Sequence, residues 1–287
     1  MVSRVLAAGL IGAVALASLA FACSQFSDAQ GSEAADAADA RDDGEHVSDG
    51  DLDAATPDAA MATGCQKAHL FCDDFDDDAA FPPGRWSEFS ALGGSASRVE
   101  GGVGGTLAGG FTNATSNLDS FFGPRLTFSI AGPLAGLRCE LDVASPAEAA
   151  PPDGQAAYLV FLRATLPSGS ATTFWLGGVR YDGPTSFSLS EEYLVPDAGP
   201  DGGDGHFSTL VALSPTNFRR DGTWTHVSFE LNGASGQDTL KVGALTRTGP
   251  SHFPTDVESI VLELGNEPFM PDQPFAFRFD NVVCDRP

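Results

Sequence analysis

The sequence predicts an all-β protein in which two antiparallel sheets pack face to face, and three observations predict it. Short runs of alternating apolar and polar residues recur through residues 65–287, the period of strands with one face on a core. Turn signals rich in Gly, Pro and Asp separate these runs, as in sandwiches and barrels of short strands. No stretch carries the pattern of a full-length amphipathic helix, so sheet must pack on sheet. The clearest run follows the turn Asp221-Gly222: Val227, Phe229 and Leu231 point one way while His226, Ser228 and Glu230 point the other.

Taken in order, residues 70–75 form a short strand, followed by the acidic run Asp76, Asp77, Asp78 and the turn Pro82-Pro83-Gly84, after which Trp86 opens a second strand. Gly93-Gly94, Gly101-Gly102 and Gly104-Gly105 punctuate short β-segments that run to Phe111, and residues 126–130 alternate. In residues 137–143 the apolar face carries Leu137, Cys139, Leu141 and Val143, and the other face Arg138, Glu140 and Asp142. Residues 158–166 are apolar on both faces, which predicts an interior strand. In residues 173–181, Trp175, Val179 and Tyr181 share a face with Gly177, opposite Phe174, Leu176 and Arg180. Residues 186–194 follow. Residues 196–205 are too rich in Gly and Pro for regular structure, and residues 239–245, 259–264 and 275–283 complete the strands.

A formal charge of -24 with only 15 basic residues excludes the electrostatic footprint of a nucleic-acid or anionic-membrane binder. Residues 1–22 carry Arg4, an apolar run from Val5 to Phe21 and then small residues, the layout of an export signal rather than a membrane span. Two cleavages compete. Ala20-Phe21-Ala22 fits ordinary signal peptidase, whereas Leu19-Ala20-Phe21-Ala22-Cys23 resembles a lipobox with its Leu one place early, which would make Cys23 the lipidated N-terminus. We read the second, and Ser24 in place of a retaining Asp implies the outer membrane or cell surface; plain secretion is the alternative. Residues 23–64 are Asp, Ala, Ser and Gly with almost no apolar content, a disordered acidic tether spanning roughly 35 Å r.m.s.. Residues 65–287 then form one domain, and the membrane is engaged through the lipid alone.

Four cysteines remain in the domain, Cys65, Cys72, Cys139 and Cys284, and an even number in an oxidising compartment predicts disulfides. Three pairings can be drawn. The favoured one joins Cys65 to Cys72 in a short loop and Cys139 to Cys284 between strands, because closing the long loop removes the most unfolded-state freedom. A zinc site is the rival, but no C-x-x-C or paired histidines accompany these residues.

Phe71-Cys72-Asp73-Asp74-Phe75 with Trp86 downstream, Gly222-Thr223-Trp224-Thr225-His226-Val227, and the closing Phe279-Asp280-Asn281-Val282-Val283 together resemble the concanavalin A-like lectin/glucanase jelly roll, laminin-G-like domains above all. The resemblance covers nearly all of residues 65–287 and implies a jelly-roll β-sandwich with a curved sheet whose concave face can hold glycans. It also frames the candidate sites. Glucanases of this fold carry E-x-D-x-E or E-x-D-x-x-E on a strand, and Glu140-Leu141-Asp142 supplies the first two carboxylates while Ala144 and Ser145 fill both places for the third. A retaining hydrolase needs both of its carboxyl groups. His226 could act as the base of a lyase, with Tyr181 or Tyr193 as the acid. The bland alternatives are solvated strand residues for Glu140 and Asp142, paired with Arg138 or Arg278, and a structural His226. Trp175, Tyr181 and Tyr193 could present rings to sugar faces with Arg180 or Glu191 as polar partners; core packing is the competing role for Trp175. Relatives of this fold often bind calcium through loop oxygens, and Asp74 and Asp280 are the first candidates here; no other cofactor is implied. The expected function is an exported, lipid-anchored carbohydrate-binding or adhesive module without catalysis. The alternatives are a glycoside hydrolase or polysaccharide lyase acting through Glu140, Asp142 and His226, and a structural or protein-binding domain.

Overall fold

The structure, a computed structural model, describes residues 65, 67–76, 80–91, 93–113, 123–172, 174–183, 186–195, 204–213, 218–268 and 273–287, all within one compact unit, Ala55–Pro287. The expected signal segment, Cys23 and the tether lie outside the described residues, as do Asp77 and Asp78 of the acidic run.

Strands are numbered along the chain. One sheet runs in the order β13 (Leu245–Pro250), β12 (Gln237–Val242), β11 (Thr225–Asn232), β6 (Gly136–Ala144), β15 (Ala276–Asp285), β4 (Leu107–Asn113) and β3 (Gly94–Glu100), with β1 (Phe71–Asp73) pairing with β15. The other runs β10 (Asp204–Leu213), β9 (Phe187–Val195), β8 (Phe174–Asp182), β7 (Ala156–Thr165), β14 (Val257–Pro268), β5 (Arg125–Leu134) and β2 (Glu88–Ser90). Neighbours are antiparallel throughout. The fold is thus a two-sheet antiparallel jelly-roll sandwich.

Alternation decides the core. Leu137, Cys139, Leu141, Val143, Val227, Phe229 and Leu231 face inward from the eight-stranded sheet, and Leu126, Ile130, Leu162, Val179, Leu189, Ile260 and Leu262 from the seven-stranded one. Edge-to-face rings knit the two layers: Tyr181 of β8 packs at 5.4 Å from Phe277 of β15 and 5.8 Å from Phe187 of β9. The apolar run in β7 has a local cause. A bulge between Tyr158 and Val160 sends both Leu159 and Val160 into the core and leaves Tyr158 on the outward face, paired with Arg180.

Two departures from the sequence reading concern strand boundaries. Residues 204–213 form β10, paired with β9 from Asp204↔Val195 to Leu213↔Phe187, although the Gly-rich stretch before them reads as loop through Gly205. Residues 239–245 do not run as one strand, because Val242 pairs with Leu245 across a two-residue hairpin in which Gly243 takes φ 56°, a conformation glycine adopts freely. Trp86 stands before β2 rather than in it. Its indole N–H donates to the buried carboxylate of Asp73 and its ring packs edge-on against Phe71 at 4.6 Å, so it closes the mouth of the core beside the first strand.

Both disulfides are formed, Cys65–Cys72 and Cys139–Cys284. The second joins register partners on β6 and β15 across a sequence separation of 145. Replacing Cys139 and Cys284 together by Ser is expected to cost about 2–5 kcal/mol of stability, read as a lower denaturant midpoint with a steeper slope, because the unfolded chain without the cross-link exposes more surface.

Candidate functional site

Each sheet turns a second face away from the core, and the two faces differ. On the seven-stranded sheet, residues that alternate with the core positions place Tyr158, Phe161 and Arg163 of β7, Arg180 and Asp182 of β8, Ser188, Ser190 and Glu192 of β9, Arg125 of β5 and Glu263 of β14 on one surface. Ser188, Ser190 and Glu263 are nonetheless buried, at 1%, 1% and 5% exposure, so this surface carries a continuous polar floor rather than isolated side chains. Buried polar groups must be satisfied, and these are. Tyr158 Oη lies 3.0 Å from Ser190 Oγ. Asp182 receives Arg180 and the Ser188 hydroxyl. Glu263 is held between Arg163 and Arg125, the latter at 3.1 Å. The Tyr158 and Phe161 rings meet edge-on at 5.3 Å.

Burial pushes the Tyr158 phenol above its ordinary pKa, against the lowering effect of the Ser190 hydrogen bond and the Arg180 charge; Glu192 and Asp182 push it further up. The phenol is therefore protonated at neutral pH. Arg125, Arg163 and Arg180 also concentrate three of the chain's 15 basic residues on this one face.

The outward face of the eight-stranded sheet brings together Glu140, Asp142 and His226, because β11 and β6 pair His226 with Asp142 and Ser228 with Glu140. His226 Nδ1 lies 3.1 Å from Asp142 Oδ1, and its Nε2 3.9 Å from Glu140 Oε2. A bulge after Asp280 puts Asn281 at φ 50° and turns its amide to donate to Asp142 Oδ2 at 2.8 Å. Arg138 pairs with Glu140. The cluster borders an open depression of about 300 Å³ that Lys241 and Glu230 also line. Each carboxylate thus has a structural partner. The place of a third is taken by Ala144 and Ser145, both fully buried, so this face has no free acid and base spaced for glycoside hydrolysis. The hydrogen bond to Asp142 holds His226 above its ordinary pKa, with the Asp142 and Glu140 charges adding to it and burial opposing.

Three expected ligand contacts are corrected. Trp175, Tyr181 and Glu191 are each 0% exposed, because their positions share the inward face with Val179 and Leu189. Trp175 Nε1 donates to Glu191 Oε1 at 3.1 Å inside the sandwich. Tyr193, on the same side of β9, is half-buried and stacks on His252 at 4.4 Å. Neither Tyr181 nor Tyr193 can serve as the acid partner of His226, which points outward from the opposite sheet. Of the expected set only Arg180 lies on an outward face. The residues that the sequence reading missed are Tyr158, Ser190, Glu192, Arg163, Arg125 and Glu263, and part of the signal was available: Arg163 and Glu263 interrupt otherwise apolar strands, and Tyr158 stands near the start of β7.

Asp280 is buried, its Oδ2 accepting from the Val103 amide at 2.8 Å and its Oδ1 from the Asn281 amide at 2.8 Å. Burial raises its pKa to about 7 despite those two bonds, with Asp76 and Asp142 adding to the rise. Asp74 turns back instead to accept from the Asp76 amide at 3.3 Å. Among the described residues no group of three or more His, Cys, Asp and Glu side chains is arranged to hold a metal, and the oxygens of Asp280 are served by amide donors.

No family model matches the chain, and no curated protein matches it. Solved structures do. A κ-carrageenase from Zobellia galactanivorans is similar over 76% of this chain and 94% of its own, at 13% identity and a TM-score of 0.52. An alginate lyase from a Chlorella virus covers 71% of this chain and 94% of its own, at 10% identity and a TM-score of 0.47. A lichenase from a mouse hindgut metagenome covers 63% and 80%, at 12% identity and a TM-score of 0.38. The first likeness shows the fold: this chain has the concanavalin A-like jelly-roll architecture.

The His226 geometry gives a direct expectation. An imidazolium stabilised by Asp142 contributes stability that is fully present below the ordinary histidine pKa and is lost as pH rises through the raised one. An NMR titration of the His226 ring should show a midpoint above that of a free histidine, and Asp142→Asn should bring the midpoint down.

Proposed function

We propose that the protein acts on a polysaccharide laid along the outward face of the seven-stranded sheet. One observation carries this: Tyr158, a half-buried phenol kept protonated, sits on that face between Ser190 and the Arg180 charge, with the exposed carboxylate of Glu192 close enough to perturb it. General acid–base catalysis needs a donor and an acceptor on one surface. Tyr158 is the donor and Glu192 the acceptor. On an acidic sugar, Arg180 would neutralise the substrate carboxylate, Glu192 would take the adjacent carbon-bound proton, a carbon–carbon double bond would form as the glycosidic C–O bond breaks, and Tyr158 would protonate the departing oxygen. Elimination is favoured over hydrolysis because Asp182 and Glu263, the carboxylates that line this floor beside Tyr158 and Phe161, are held in ion pairs, whereas Glu88 lies exposed on the edge strand β2. Hydrolysis asks for two carboxyl groups free to act.

Binding without turnover is the second reading. It is favoured by the ion pairing of Arg180 with Asp182 and of Arg163 with Glu263, which suits a rigid recognition surface. In both readings the domain works outside the cytoplasm, exported and tethered by lipid on Cys23. The two disulfides suit such an oxidising compartment.

The test assays cleavage and binding of a panel of acidic and neutral polysaccharides by the wild type and three variants. The proposal expects cleavage of an acidic polymer, a loss of about 100-fold or more in kcat for Tyr158→Phe and for Glu192→Gln with binding retained, and weakened binding for Arg180→Ala. Binding that Arg180→Ala weakens, with no cleavage of any polymer, would leave the second reading. Neither binding nor cleavage across the panel would contradict both and leave a structural or protein-binding domain.

A further inference from the structure

The core itself contains two acids. Glu191 of β9 and Asp238 of β12 come from opposite sheets, are both 0% exposed, and face each other near one edge of the sandwich. The donors around them are few and specific. Glu191 Oε1 accepts from Trp175 Nε1 of β8 at 3.1 Å, and Oε2 accepts from the His252 amide at 2.9 Å and lies 3.1 Å from His252 Nδ1. Asp238 Oδ1 accepts from the Asn232 amide at the end of β11 at 3.0 Å. Its Oδ2 is buried with no hydrogen-bond partner beyond the Glu191 carboxyl group that it faces, although Ser251 lies near enough to lower its pKa. The groups that face the pair are thus Trp175 from β8, Asn232 from β11, and Ser251 and His252 from the segment after β13; the side chains of the neighbouring part of β10 lie outside the described residues.

Two buried carboxylates in contact cannot both be charged, since each would sit in a poorly polarisable medium beside a like charge. A proton between them converts repulsion into a hydrogen bond. We propose that one proton, shared by Glu191 and Asp238, fastens the two sheets together at this edge and makes the closed sandwich sensitive to pH between acid and neutral conditions. The latch has a route to the ligand face. Ser190 and Glu192, the residues on either side of Glu191, point out of β9 onto the polysaccharide surface, so loss of the proton loosens the strand that carries them; this second consequence rests on the function proposed above, and the latch itself does not.

The sign follows from burial, which raises Glu191 and Asp238 each to about 7. The native state keeps a proton that the unfolded chain has released above about pH 4. This pair therefore contributes most stability below the ordinary carboxylate range, loses it as pH rises to about 7, and changes little beyond.

The experiment compares hydrogen-exchange protection of the β9 and β12 amides at pH 5 and pH 8, corrected for intrinsic rates, in the wild type and in Asp238→Asn, with no polysaccharide present. Asparagine supplies a fixed donor to Glu191 and removes the like charge. The wild type should lose at least about tenfold in protection between the two conditions, the equivalent of one pKa unit, and Asp238→Asn should lose much less. Because an imidazole titrates in the same range, His252→Gln is the control and should keep the wild-type loss. An equal loss in wild type and Asp238→Asn, or abolition of the loss by His252→Gln alone, would overturn the latch. Should Asp238→Asn fail to fold, carboxyl NMR of the wild type decides, with resonances assigned so that Asp280 is told apart: Glu191 or Asp238 titrating near neutrality supports the latch, and both titrating in the ordinary range refute it. Polysaccharide binding or cleavage measured at the same two conditions reads the second consequence separately, so a failure of the proposed function leaves the latch result standing.

Discussion

The structure depends on a constraint that the core strands obey away from their bulges: successive side chains leave a strand on opposite sides, and one side belongs to the core. That parity sorts the polar residues before any chemistry begins. On β8 it sends Trp175 and Tyr181 inward and Arg180 outward; on β9 it sends Glu191 inward and Ser190 and Glu192 outward. The same two paired strands therefore contribute to two separate polar systems, an acid pair inside the sandwich and an ion-paired floor outside it.

The inward system is the costlier. Burying a carboxyl group takes it out of water, and only fitted donors offset the loss. The protein supplies them to Asp73 through Trp86 and the Phe75 amide, and to Asp280 through the amides of Val103 and Asn281. Asp73, at the end of β1, and Asp280, midway along β15, thus tie their strands to the neighbouring segments through buried hydrogen bonds. In the pair of Glu191 and Asp238 the donors gather on three of the four oxygens, and Asp238 Oδ2 has none of its own, the place that the proposed proton fills.

Much of this was legible in the sequence. Alternation in residues 137–143 and 225–231 assigned the inward and outward sides of β6 and β11 correctly, and the even set of cysteines gave the pairing that is found. The parity of residues 173–181 was also right, yet its consequence was missed: aromatic rings on the Val179 face belong to the core, whatever their affinity for sugars. Strand β10 was hidden by the Gly- and Pro-rich residues before it, and the bulge that keeps Tyr158 outward depends on pairing with β8, which no local pattern encodes. Glu140 with Asp142, and His226, were singled out in the sequence as separate candidates; that they meet follows from the pairing of β6 with β11. Arg138, already read as a partner for these carboxylates, pairs with Glu140, whereas Asn281 could not be weighed, since its turn toward Asp142 follows from a bulge in β15.

The seven-stranded sheet's outward face is the centre of the functional account, and ligand footprinting tests it most directly. Hydroxyl-radical labelling of the full chain, with and without a polysaccharide that it binds, reads the rings on each surface. Protection of Tyr158, Phe161 and Phe174, with Trp224 and His226 unchanged, is the predicted result. Protection confined to Trp224 and His226 would place the ligand on the eight-stranded sheet and contradict the account.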